Sequence, residues 1–398
     1  MTEPQRSKIG YLEGIRGVAA FLVLLHHFQL GFYPAAFDGN MTHAHLGNDW
    51  ELWYYSSPLS VFTNGNFCVT IFYVLSGYVL SHKYMRTGDI SSLVSAAHRR
   101  FFRLFIPIAF ALILSFLFLR FSIYHYVEAA KVTKSDWWMA TLVSADPSFF
   151  TLLKFLGYRV MFLGDSSFDT TMWTMPTELF GSLLVFALLA LVHNTRKKYF
   201  IYCILLFYFY VTEHFYYTAF VLGIMLHGLN GLSQEKKNAW WRMPLVPVLV
   251  FGGLFLGSFC SLGWTHPHLW DFIKSEEVFM RFDVIHIVGA TMLIAAVLLS
   301  PILQRILGSR FFVFLGFISF SLFLLHPIVI GSFSAYFILG TAGKFGYNTA
   351  AMIDLALTIL LTVGLSWLMA LTVDRFSMDA SKWYFVKWIK AGKTDAAS

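Results

Sequence analysis

Residues 12–33 read LEGIRGVAAFLVLLHHFQLGFY, and this stretch decides the fold. Its 22 residues make a helix about 33 Å long, and about 20 mostly apolar residues cross a bilayer core. Glu13, Arg16, His26 and His27 interrupt the apolar run, and no convincing cleavage site accompanies it. It therefore reads as a retained span and not a cleaved leader. Working outward, nine further apolar stretches lie near 67–85, 101–119, 172–192, 197–211, 215–230, 245–262, 282–300, 312–338 and 349–373. The fifth and sixth spans are short and separated only by Thr212, Glu213 and His214, so they form either a tight hairpin or one broken element. The fold class is an all-α, polytopic transmembrane bundle of about ten spans. Composition agrees. The chain is 57% hydrophobic and 13% charged, where a soluble domain carries about 25% charged residues. Soluble globular, disordered and disulfide-stapled classes are excluded together. Cys68, Cys203 and Cys260 are odd in number and scattered in apolar surroundings, which suggests neither a disulfide framework nor a zinc site.

Lys and Arg mark the inner side of a membrane protein. With ten spans and a cytoplasmic N-terminus, 21 of the 29 basic residues fall on inner segments, and the outer stretch 34–66 holds none. Both termini are expected in the cytoplasm, in a multi-pass protein of the plasma (inner) membrane. The net charge of +7 is thus mainly an orientation signal, and no nucleic-acid partner is expected. Residues 1–375 form the transmembrane domain and 376–398 a tail. There Trp383, Lys387, Trp388, Lys390 and Lys393 alternate as in a helix lying among membrane lipids at the inner surface.

In a chain this apolar, ionisable groups inside spans are functional candidates: Arg16, His26, His27, Glu178, His227, His286, His326 and Asp354. Arg16 and His27 lie eleven residues apart, about three turns plus 20°, so they share a helix face some 16 Å apart along the axis. His26 points about 100° away and cannot do the same work. Arg16 can also pair simply with Glu13 at i, i+3. On the expected topology His27, Glu178 and His326 reach similar depth from three helices, while Asp354 and His286 sit near outer ends, open to water. Arg100 and Arg103, at i, i+3, suit a phosphorylated ligand, because guanidinium forks bind phosphate bidentately; an ordinary positive-inside loop is the other reading. His43-x-His45 and His266-x-His268 are too sparse to make a metal site, and none is expected. Outer aromatics (Trp50, Trp53, Tyr54, Tyr55, Trp137, Trp138) with Asp49, Asp165 and Asp169 suit either a sugar site or the interfacial belt.

Five motifs, in order, resemble the acyltransferase-3 family of integral membrane proteins. Tyr11 to Ala20 is similar to "LDGLRGIAA", and Arg16 to His27 matches the family's Arg-x10-His signature. Phe72 to Tyr78, containing Ser76, is similar to "FFVLSGF". Arg100 to Pro107 is similar to its Arg-x-x-Arg segment, Trp173 to Glu178 resembles "WSLxVE", and Ile318 to Pro327 resembles "ISYSLYLxHxP". The resemblance runs from residue 11 to about 373. Two positions depart from it: Glu13 stands where an Asp is usual, and Leu179-Phe180-Gly181 replaces Gln-Phe-Tyr, which is expected to alter the acceptor pocket. The hydrolase-like domain fused to some members is not expected.

The resemblance implies transfer of an acyl group, acetyl first, from cytoplasmic acyl-CoA to a hydroxyl of a glycan or other acceptor outside. Acetyl-CoA would be a donor substrate and no cofactor tightly bound. Arg16, Arg100, Arg103, Ser76 and Lys83 would hold the donor. His27 would be the base or the acylated residue, Glu178 its orienter, and His326 a donor to the thioester oxygen. Two rivals remain. A secondary transporter would relay protons through these groups, although no internal symmetry supports one. An acyl-relay protein would hand the group to a partner enzyme.

Overall fold

The computed structural model describes residues 9–47, 49–229, 242–259 and 282–390. No strand occurs among them. The main helices are α1 (Gly10–Phe32), α2 (Gly65–Thr87), α3 (Ile90–Arg120), α4 (Met175–Leu191), α5 (Lys198–Val211), α6 (Phe215–Met225), α7 (Arg242–Gly257), α8 (Phe282–Leu299), α9 (Arg310–Val329), α10 (Ala335–Phe345), α11 (Tyr347–Met369) and α12 (Arg375–Tyr384). A π-helical segment, Ile330–Ser334, joins α9 to α10, and another, Ala370–Asp374, joins α11 to α12.

A helix thus stands at each of the ten expected positions. Six segments among the described residues are long and apolar enough to cross a membrane: Gly10–Phe32, Ile90–Arg120, Met172–Leu191, Phe282–Leu299, Arg310–Phe345 and Tyr347–Lys387. Helices α5 and α6 are separate and pack together, turning where Glu213 takes a φ of 60°. Their 14 and 11 residues reach only about 21 and 17 Å, short of a core of about 30 Å. Helix α3 begins eleven residues before the expected 101. Asp89 is the reason: its Oδ1 accepts the Ser91 N–H at 2.9 Å and caps the helix there. The linker before it is a single turn, because Gly88 closes α2 at a φ of 64°.

Small residues set the helix spacing. A Cβ on Gly17 of α1 would lie 2.4 Å from the Gly316 nitrogen of α9, so the two backbones touch where any side chain would part them. Gly77 and Gly223 bring α2 and α6 together in the same way, with a Cβ on Gly77 meeting the Phe220 oxygen at 2.3 Å. Helix α1 therefore packs closely on α9, and α2 on α6. The helix of α11 continues through residue 375 into α12, whose Ser377 hydroxyl donates to the Arg103 carbonyl at 3.1 Å. The tail's first turns thus pack on α3 instead of leaving the bundle. Cys260, His266, His268 and Lys393 lie outside the described residues.

Candidate active site

A cavity of about 380 Å³ opens within the bundle. Helix α1 supplies Glu13 and Arg16, α2 Ser76, α3 Arg100 and Arg103, and α4 Glu178, while Asp374 comes from the second π segment. Three arginines and three carboxylates thus share one space, and most are already matched. Arg16 Nη1 donates to Glu13 at 3.3 Å. Arg100 Nη2 donates to Glu178 Oε1, which also accepts the Ser76 hydroxyl at 2.9 Å. The same guanidinium sends Nε to Ser182 Oγ at 2.8 Å, so Arg100 is fixed at both ends. Arg103 has no carboxylate within 4 Å among the described residues. Asp374, on the same cavity, accepts from Ser321 Oγ at 2.8 Å and keeps Oδ1 without a partner.

The structure gathers Arg16, Ser76, Arg100, Arg103 and Glu178 here. Lys83 is elsewhere, on a second pocket of about 210 Å³ with Arg99. Glu178 makes its side-chain bonds to Arg100 and Ser76, none of them to His27. Glu178 is held away from the expected partner because Arg100 of α3 meets it in the first turn of α4.

His27 is joined instead to His326. His27 Nδ1 lies 2.6 Å from His326 Nε2, and the rings stack at 4.9 Å. The other His326 nitrogen, Nδ1, is 2.9 Å from the Leu322 carbonyl. A carbonyl only accepts, so Nδ1 of His326 carries the proton and, in the neutral ring, Nε2 is the acceptor. His27 Nδ1 must then donate, which leaves the lone pair of His27 on Nε2. Pro327, with no N–H, leaves the Phe323 carbonyl without its helical donor, and a π segment follows at Ile330–Ser334. Phe323, one turn before His326, lines the cavity and touches Phe72 with ring centroids 5.8 Å apart. The Phe323 ring is 6.2 Å from that of His326. Cavity and histidine pair are therefore neighbours separated by aromatic rings.

On its other face His27 stacks on Trp138 at 5.3 Å. His26 turns away, as its angle predicts, and donates Nδ1–H to the Thr63 carbonyl at 2.7 Å. Asp354 and His286 are not open to water: both are at most 1% exposed, Asp354 accepting from Thr358 at 3.1 Å and His286 donating to the Phe259 carbonyl at 2.8 Å. Outside the spans, burial pushes the Asp169 carboxyl up to about 7 despite two bonds from Thr171. Burial likewise holds the His45 imidazole down at about 4. No group of three or more metal ligands exists among the described residues.

Asp374 and Ser321 are not among the site candidates legible in the sequence. Asp374 falls one residue beyond the expected end of the last span, so it escaped the search for intramembrane charges. A helical reading run on through 374 would have found it.

Residues 9–371 match the family model of the acyltransferase-3 domain. The chain belongs to the acyltransferase-3 family. A fungal relative, the O-acetyltransferase PaAT-1 of Phomopsis amygdali, is 22% identical over 96% of this chain and 85% of its own length. No solved structure matches. This acyltransferase-3 protein is accordingly a membrane acyltransferase, and the motifs that carried the resemblance supply both the arginine cavity and the histidine pair.

Proposed function

We propose that the protein moves an acyl group, acetyl first, from cytoplasmic acyl-CoA to an acceptor hydroxyl at the outer side. In this reading ten helices cross a plasma (inner) membrane and both termini are cytoplasmic. The observation that carries the reading is the His27–His326 pair, ordered so that Nε2 of His27 is a free base beside an arginine-lined cavity.

The donor's diphosphate would bind among Arg16, Arg100 and Arg103. Its pantetheine arm would extend along the α1 face towards His27, about 16 Å away by helix rise. His27 Nε2 takes the acceptor's hydroxyl proton, and the oxygen attacks the thioester carbonyl. The C–S bond then breaks, and the thiolate recovers the proton from His27, giving ester and free CoA. His326 holds the ring and accepts its Nδ1–H, the part an orienting group plays in a triad. Glu178 and Glu13 keep the arginines extended until phosphate replaces them.

Sealed membrane vesicles containing the protein, supplied with acetyl-labelled acetyl-CoA on the cytoplasmic face, test this. Label should appear on an outer-facing hydroxyl compound, and His27→Ala should abolish it while CoA still binds. Normal transfer by that variant would overturn the reading. Label found only on a second protein would support the relay alternative, with a glycan or other hydroxyl acceptor acylated downstream.

A further inference from the structure

The second pocket, of about 210 Å³, is lined by Lys83, Tyr84, Ser92, Ser95 and Arg99, and Leu80 borders both it and the arginine cavity. Two helices divide their residues between the spaces. On α2, Ser76 and Lys83 are seven residues apart, hence on one face and about 10 Å apart along the axis. Ser76 faces the cavity, Leu80 is the shared wall, and Lys83 faces the pocket. On α3, Arg99 and Arg100 are consecutive, so their side chains diverge by about 100°. Arg100 enters the cavity and Arg99 the pocket. The Arg99 Nε donates to the Ser95 carbonyl at 3.0 Å, which seats its guanidinium on the pocket wall.

The pocket is smaller than the roughly 300 Å³ at which sites for whole drug-sized ligands begin. It fits a fragment, and two cations with the Ser95 hydroxyl fit a phosphate monoester, the Ser92 hydroxyl donating to the Asp89 carbonyl at 2.7 Å. A donor whose diphosphate occupies the arginine cavity carries such a group on its ribose. We propose that Lys83 and Arg99 form a second anion site that binds the 3′-phosphate of CoA. The donor is then gripped on both sides of the Leu80 wall. This rests on the donor reading above and adds a residue-level account of which CoA is accepted.

The probes are CoA and 3′-dephospho-CoA, titrated into the full-length protein in phosphatidylcholine nanodiscs. The wild type should bind CoA about tenfold more tightly, the scale of one charge-assisted hydrogen bond. Lys83→Gln and Arg99→Gln should each weaken CoA several-fold and leave dephospho-CoA unchanged, so that the preference disappears. Equal binding of the two probes by the wild type, or a preference that survives both substitutions, overturns the proposal and leaves the donor reading standing. If neither probe binds the wild type, both fall. A lipid phosphate could also fill the pocket, so native mass spectrometry follows retained phosphatidate. Loss of that lipid in the variants, with no CoA preference in the wild type, assigns the pocket to a headgroup and also overturns the proposal. Unchanged melting temperatures in the variants establish that they are folded.

Discussion

The Leu322 carbonyl can only accept a proton, and at 2.9 Å from His326 Nδ1 it sets the direction of every bond up to His27. On the proposed mechanism His326 acts through another residue, as a positioning group. Replacing it with Leu removes the acceptor for His27 Nδ1–H, and the base then samples the wrong tautomer. The expected loss is about 100-fold in kcat, at the low end of what a positioned acid–base group contributes. The KM for acetyl-CoA should stay unchanged, because the arginines are untouched; label transfer over a range of donor concentrations up to saturation measures both. Asp169 gives a prediction of a different kind. Its carboxyl sits at about 7 in the folded chain and near the ordinary 3.9 when unfolded. The unfolded form thus loses its proton first as pH rises, and stability falls between about pH 4 and pH 7. Asp169→Asn should melt at progressively higher temperature than wild type across that window, with no further gain above it. Scanning fluorimetry in detergent reads the difference.

At the level of elements, most helices could be read from the sequence because burial and caps speak locally. Asp89 and Gly88 fix the α2–α3 turn by their own chemistry, and Arg16 and His27 share a face by spacing alone. What could not be read depends on approach between helices. Nothing in Gly17 announces that its partner is Gly316, and nothing in Glu178 says that α3 will bring Arg100 to it. The π segments are equally silent: one extra residue in a turn leaves no mark on composition, yet it decides where Ser334 and Asp374 face. Ser334 reaches Thr358 of α11 from the first such segment, which ties the helix carrying His326 to a second helix. The α1–α9 contact is the point where the bundle is least tolerant. Gly17→Val should cost at least the 1–3 kcal/mol typical of overpacking, since backbone and not a movable side chain opposes it. A lower melting temperature with weakened CoA binding is the expected result, because Arg16 neighbours the disturbed contact.

For the whole molecule, the distribution of Lys and Arg gives an orientation that single-cysteine labelling can check. In a background without native cysteines, Met41→Cys and Ser91→Cys, both at exposed positions, should react with an impermeant maleimide from opposite faces of sealed cells. Reaction from the same face would contradict the ten-span topology. The aromatic outer segments were open to two readings, and for Trp138 the packing against His27 favours a place at the site over a place in the belt. The arginine cavity has a last consequence. Its three positive groups face three negative ones, so the empty site offers little net attraction to passing ions. Chloride or a lone phosphate would meet only Arg103 without breaking a pair, whereas a molecule bearing several phosphates can displace the carboxylates from Arg16 and Arg100 together. Discrimination against the abundant small anions of the cell would then come from rivalry with the protein's own carboxylates, with no need for a snug fit.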